Sequence, residues 1–222
     1  MTHRLEPVIL TITRQMASGG SYIGHAVARQ LRFRYMDRAI LQRAARALRV
    51  DDPRTLECLE ETRGSIWARL TRGIAAGAPE APFVSVPLEF DEDDVFDAES
   101  HIIREIADHE DAVFIGHGAG FVLRNHPGVI RVFVHAPEPW RIAAAQRSYA
   151  LELAAARDLI RQSDRRRARF IEGLSGAVWT DARLYDLSVD TSTIDIGVII
   201  SWLAELVQGR VERRKTIARS ES

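Results

Sequence analysis

The chain has 222 residues, 46% hydrophobic and 27% charged, ample apolar material for the core of one α/β domain, which argues against disorder, collagen-like repeats and a disulfide scaffold. Thirty basic residues against 31 acidic ones leave a net charge of -1, so no global field draws the protein to nucleic acid or to a membrane surface, and neither is expected as a partner. Cys58 is the only cysteine, which forbids an internal disulfide and a cysteine-rich zinc site and suits a reducing compartment.

The opening MTHRLEPVILTITRQ lacks the apolar region and small-residue cleavage site of a signal peptide. No stretch approaches the roughly 18 apolar residues of a membrane span. A cytoplasmic location is therefore the expectation. Val8 to Thr13 is a β-branched apolar run that suits a buried parallel strand. It passes through Ala17-Ser18-Gly19-Gly20 into a helical pattern carrying Ile23, Val27, Ala28 and Leu31. Phe33 to Met36 reads as a second extended piece, after which Asp37 can cap a helix through Ile40, Leu41, Ala44 and Leu48. Residues 53–76 read as mostly helical. Gly77 to Asp97 is Pro-rich and then acidic, with Phe83, Val84, Val86 and Leu88 as a short strand or a flexible flap.

Regular alternation returns with a helix from Glu99 to Asp108, a strand from Ala112 to Ile115, a glycine turn and a strand from Val129 to His135. Two helices follow, Pro137 to Tyr149 and Leu151 to Gly173, the second heavily charged. A last strand, Leu187 to Asp190, leads into a helix from Ile196 to Val207, and residues 209–222 read as a frayed polar tail. Strands alternating with helices predict a parallel sheet covered on both faces, one domain over 1–208 without an internal repeat.

Lys215, in that tail, is the only lysine; every other basic residue is arginine. A lysine-based active site in the body of the domain is thus ruled out. Leu10 to Leu31 has the form of a phosphate loop between strand and helix, where backbone N–H groups face an anion. Against the pattern G-x-x-x-x-G-K-[ST], with Gly19 as the last glycine, Arg14 stands at the first glycine and Gly20 at the lysine. His117, His126 and His135 fall on a turn, a loop and a strand end without a shared face, and no metal ligands are expected among them. The acidic run Asp91, Glu92, Asp93, Asp94 and Asp97 reads as a solvated flap and Cys58 as a small core residue. Arg161, Asp164 and Arg167 sit at i, i+3 and i+6 on one helix, near enough for the carboxylate to orient an arginine while another meets phosphate.

Four blocks, ITRQMASGGSYIGHAVARQLRFRYMDRAIL, VFIGHGAGFVLRNHPGVIRVFVHAPEPWRI, LIRQSDRRRARF and WTDARLYDLSVDTS, together resemble the cytidylate kinase-like family of P-loop nucleoside monophosphate kinases, over roughly residues 8–207. The resemblance implies a three-layer P-loop kinase fold, with an acceptor-binding insertion at about 38–97 and a lid at about 141–180. It implies phosphoryl transfer from ATP, with Mg2+, to CMP or dCMP. Ser18, Gly19, Gly20 and Ser21 would surround the donor phosphates, with Arg14 beside them and Tyr22 following, and Arg141 and Arg147 would contact the donor nucleotide from the lid hinge. Asp37 and Arg38 match the family's turn at the acceptor entrance. Gly116-His117-Gly118 matches a GRG signature whose middle arginine suits an acceptor phosphate, although a neutral imidazole cannot replace a fixed fork of donors. Arg161, Asp164 and Arg167 would be the catalytic set, since phosphoryl transfer needs charge neutralisation and this loop has no lysine. Asp190 is read as a turn former or helix cap. The missing lysine, Ala17 and His117 also admit a weakly catalytic nucleotide-binding or sensing protein of kinase ancestry, or a kinase for another small acceptor.

Overall fold

A computed structural model describes residues 6–37 and 92–220. The chain divides into two units, one of Met1–Asp37 with Ile103–Ser222 and one of Arg38–Ile102. Arg38, Cys58, Asp91, the helices expected through Ile40 to Leu48 and over 53–76, and the expected strand from Phe83 to Leu88 lie outside the described residues.

Within the first unit, strands β1 (Ile9–Arg14), β2 (Arg34–Met36), β3 (Ala112–Ile115), β4 (Val129–His135) and β5 (Leu187–Asp190) form a parallel sheet in the order β2-β3-β1-β4-β5. The register sets Ile12 beside Ile115 and Val132, and Arg14 beside Val134. β1 is central: the connection leaving it runs to β2 on one side, whereas the connection leaving its neighbour β4 runs to β5 on the other. The carboxyl end of β1 is therefore the topological switch point at which open α/β sheets hold ligands.

Alternation along the strands sends Leu10, Ile12, Val113, Ile115, Val132, Val134 and Val189 to one face. There they bury against Ile23, Val27 and Ala28 of helix α1 (Gly20–Leu31) and Ile199, Leu203 and Val207 of the last helix. Each such side chain contributes about 1.5–3 kcal/mol when fully buried. Gly24 lets α1 lie close to the sheet, because a Cβ there would fall on Ile115 Cδ1. Arg32, at φ 58°, turns the chain out of α1, and Phe33 N–H donates to Ala28 O at 2.9 Å, which delivers β2 to its place beside β3.

The opposite face carries Ile9, Thr11, Phe114 and Phe133 and is covered in part by the short helix α3 (Ala119–Val122), where a Cβ on Gly120 would lie 3.1 Å from Thr11 Oγ1. Phe133 stacks on Tyr185 at 5.0 Å between ring centroids and meets the Trp179 ring edgewise at 5.5 Å. The sheet is thus covered on both sides, as alternation of strands and helices predicts.

Helix α2 (Glu92–His109) precedes β3, and helices α4 (Glu138–Tyr149) and α5 (Leu153–Ser175) follow β4. Two expectations are corrected. The acidic run is not a flap: from Glu92 onward its backbone belongs to α2. Nor is the carboxyl end frayed, because helix α6 runs from Ile196 to Ser220. Its polar end has a tertiary anchor: Arg214 donates to Glu6 O at 2.9 Å and to both carboxylate oxygens of Asp111, at 2.7 and 3.2 Å. Among the described residues no helix is long and apolar enough to cross a membrane.

Candidate active site

The chain leaves β1 at Arg14 and enters α1 at Gly20 through a loop folded back on the sheet. Gln15 N–H donates to Val134 O at 3.0 Å, and Gln15 Oε1 accepts the Ala136 N–H at 3.2 Å. Ser18 is buried, its Oγ 2.9 Å from Gln15 O and 3.1 Å from Val134 O, and Thr191 Oγ1 donates to Ser18 O at 2.8 Å. The Ser18 hydroxyl is therefore turned into the sheet. Ala17 at φ 60° and Gly19 at φ 83° make two left-handed steps. No side chain caps α1 and no acidic residue stands in its first turn. The helix offers its first N–H groups and the positive end of its dipole to the loop's mouth, an arrangement suited to an anion.

Arg14 crosses the head of α1. Its Nε lies 3.4 Å from Ser21 Oγ. Its guanidinium ends at the turn after β3, where a Cβ on Gly116 would fall on Nη1. Gly116, His117 and Gly118 are all left-handed, at φ 75°, 60° and 65°, and wind the chain from β3 into α3. The loop before α1 and the Gly116-His117-Gly118 turn, both singled out in the sequence, thus meet through Arg14.

Helix α5 grips the loop from the other side. Ile142, Ala145, Ala156 and Ile160 bury the contact between α4 and α5, and Met16 and Ala17 pack against it. Asp164 Oδ1 accepts the Met16 N–H at 2.8 Å, and its Oδ2 accepts from Arg141 Nη1 at 2.6 Å. Arg141, only 6% exposed, also donates to Ala136 O at 2.9 Å and Met16 O at 3.1 Å. Arg167 Nη1 donates to Arg14 O at 3.2 Å and lies 3.7 Å from Asp164 Oδ1.

Of the residues singled out in the sequence, Arg14, Gly19, Gly20, Ser21, Gly116, Asp164 and Arg167 converge on this loop. Arg141 reaches it as a buried strut spent on carbonyls and a carboxylate. Arg161 does not reach it and pairs with Glu138 at 3.3 Å on the surface. Arg147 and Tyr22 are exposed, and Asp37 is half-buried just after β2. Asp190 closes its own turn, accepting from Ser192 N–H at 2.8 Å and Ser192 Oγ at 2.7 Å. Burial pulls the Asp190 carboxyl up, but the two Ser192 bonds and the nearby His135 outweigh it and hold the group below the ordinary carboxylate range. Thr191 and Gln15, neither of which was read as a site residue, brace the loop from β5 and from its own start. The signal for Thr191 was its place in the WTDARLYDLSVDTS block, directly after the strand-ending Asp190.

Among the described residues, the arrangement brings an open helix terminus and fixed guanidinium groups together without an activated nucleophile. It suits the binding and neutralisation of phosphate, where positioning and charge do most of the work. The family model described as the cytidylate kinase-like family matches residues 9–193, from the first residue of β1 to beyond β5. The chain belongs to the cytidylate kinase-like family. Its sheet and loop are those of a P-loop kinase.

No curated protein sequence matches the chain. Among solved structures, an uncharacterized protein from Eubacterium ventriosum ATCC 27560 superposes with a TM-score of 0.67 at 15% identity, covering 90% of this chain and 98% of that one. A shikimate kinase from Bacteroides thetaiotaomicron gives 0.48 at 16% identity, over 90% and 98% of the two chains. A gluconokinase from Sinorhizobium meliloti 1021 gives 0.49 at 16% identity, over 99% and 100%. The likeness to the first is one of fold.

Proposed function

We propose that this member of the cytidylate kinase-like family transfers the terminal phosphoryl group of ATP to a nucleoside monophosphate, with CMP or dCMP as the acceptor. The observation that supports this reading best is the meeting at Arg14 of the loop before α1 and the Gly116-His117-Gly118 turn. Transfer in line between two phosphates needs the donor and acceptor sides adjacent, with positive charge between them.

In this reading Gly19, Gly20 and Ser21 cradle the donor phosphates through backbone N–H groups, and Ser18 holds the loop to the sheet. Asp164 and Arg141 are positioning residues that fix Met16, rather than a member of the catalytic set and the donor-nucleotide contact expected from the sequence; the carboxylate does orient an arginine, and that arginine is Arg141. Arg167 is the α5 arginine nearest the loop, while Arg161, Arg147 and Tyr22 lie where only a movement of their helices or a bound nucleotide would engage them. Asp37 and His117 face the acceptor. Magnesium arrives with ATP and is a hard cation satisfied mainly by phosphate oxygens and water. Ser21 fits it: its hydroxyl oxygen stands at the head of α1, engaged by Arg14 only at the outer limit of hydrogen bonding. Among the described residues no group of three or more His, Cys, Asp or Glu is placed to hold a metal.

The test is a coupled assay with ATP and magnesium across CMP, dCMP, UMP, AMP and GMP. Transfer to CMP or dCMP in preference to the others is the expected result. ATP binding without transfer to any of them would replace the kinase reading by that of a nucleotide-binding protein, which His117 at the place of the family's arginine favours.

A further inference from the structure

In the pattern G-x-x-x-x-G-K-[ST] a glycine ends the strand and a lysine opens the helix. Here the two positions are occupied the other way round, by Arg14 and Gly20. We propose that this is an exchange in space as well as in sequence: Arg14 delivers to the donor phosphates the charge that a lysine at position 20 would deliver, and Gly20 and Gly116 are glycines to let it through. The inference rests on the reading of the loop as a donor-phosphate site and names the residue that carries its charge.

Three observations support it. A Cβ built on Gly20 would lie 2.6 Å from Arg14 Cβ and 3.1 Å from Arg14 Cγ, so the Arg14 side chain begins where a side chain from position 20 would begin. From there it follows the course open to a lysine, over the head of α1 and past Ser21 Oγ at 3.4 Å, with a stem of similar length and a permanently charged fork at its end. Its far end needs Gly116, where any Cβ would meet Nη1 and where φ is 75°. The backbone end is held as well, by Arg167 Nη1 on Arg14 O at 3.2 Å. The two positions therefore exclude one another: a side chain at 20 requires a glycine at 14, and an arginine at 14 requires a glycine at 20. The only lysine of the chain cannot serve instead. Lys215 lies on α6 next to Arg214, whose partners Glu6 O and Asp111 precede β1 and β3 at the amino edge of the sheet, opposite the loop.

The test is nucleotide binding by calorimetry on the full chain, with ATP and AMP in the presence of magnesium. Arg14→Gln, which keeps the stem and removes the charge, should weaken ATP at least about tenfold, since a hydrogen bond to a charged group is involved, and should leave AMP within about twofold. Arg14→Lys should keep most of the ATP affinity. Gly20→Lys alone should lose both thermal stability and ATP binding, because its Cβ has no room beside Arg14. The double variant Arg14→Gly/Gly20→Lys rebuilds the regular pattern and should regain ATP affinity to within about threefold of wild type. Undiminished ATP binding by folded Arg14→Gln, or a folded double variant that does not regain what Arg14→Gly loses, would overturn the exchange. Should wild type bind no ATP at all, the donor-site reading itself fails, and the two failures are told apart by that one titration.

Discussion

Asp164 on α5 holds the loop at Met16, 148 residues earlier in the chain, with its Oδ1 on the Met16 N–H at 2.8 Å and its Oδ2 on Arg141 at 2.6 Å. One carboxylate thus joins the loop backbone, the start of α4 and the middle of α5. Its arginine partner is nearly buried, and a buried cation stripped of its counter-ion costs several kcal/mol.

Asp164→Ala is expected to lower the unfolding free energy by about 3 kcal/mol, while Asp164→Asn, which can still accept from Met16, should lose less. Arg161→Ala, which breaks only the exposed pair with Glu138, should stay within about 0.5 kcal/mol of wild type. Urea unfolding of the three variants checks the order. An Asp164→Ala protein as stable as Arg161→Ala would show that the tie contributes nothing.

His117 stands left-handed between two glycines, a conformation that histidine tolerates better than most side chains. His117→Arg should strengthen CMP binding, because a charge-assisted bond contributes about 1.5–3 kcal/mol before the strain of the left-handed backbone is subtracted. Calorimetric titration of CMP reads it directly. Unchanged or weaker binding would mean that residue 117 does not face an acceptor phosphate.

Tyr185 donates to Trp179 O at 2.6 Å and stacks on Phe133. Burial pushes its hydroxyl up to about 12, against a smaller pull downward from Thr13. Since the folded value lies above the unfolded value of about 10, the stabilising contribution is complete below about pH 10 and is lost as pH rises from there towards about 12. Tyr185→Phe should be less stable at neutral pH, by about 1 kcal/mol for the lost bond, yet show a flatter stability profile over that alkaline window. A wild-type profile as flat as the variant's would contradict the assignment.

Removal of residues 210–222 is not a clean way to make a lysine-free protein, because it takes Arg214 from Asp111, and Asp111 also accepts the Val8 N–H at 2.7 Å. Lys215→Met is the cleaner change, since among the described residues Lys215 pairs with the exposed Glu212, at 2.8 Å. Transfer activity equal to wild type and stability within about 0.5 kcal/mol are expected for it. The truncated chain should unfold at a lower temperature. A loss of activity in Lys215→Met would place the lysine in the chemistry after all.

The sequence by itself determined the strands, the loop and the family. Val129–His135 was legible to the residue because a strand covered on both faces reads as an almost continuous apolar run, here broken only by Arg131, and Leu187–Asp190 because apolar and polar residues alternate along this edge strand. Glycines at 19 and 20 after such a strand mark a loop whatever surrounds it. What depends on partners distant in the chain was decided only by tertiary structure. The last turns of α6 carry no regular apolar stripe and read as a frayed tail, yet Arg214 finds Asp111, 103 residues earlier. Spacing put Arg161, Asp164 and Arg167 on one side of α5, but at about 100° per residue the two arginines diverge by about 120°. Asp164 between them can face the loop with only one, and the packing of α4 against α5 gives the loop to Arg167 and the surface to Arg161. Even the exchange of Arg14 and Gly20 was visible as letters out of place. That the two side chains would start from nearly one point in space is a fact of the strand–loop–helix path, which a linear pattern does not contain.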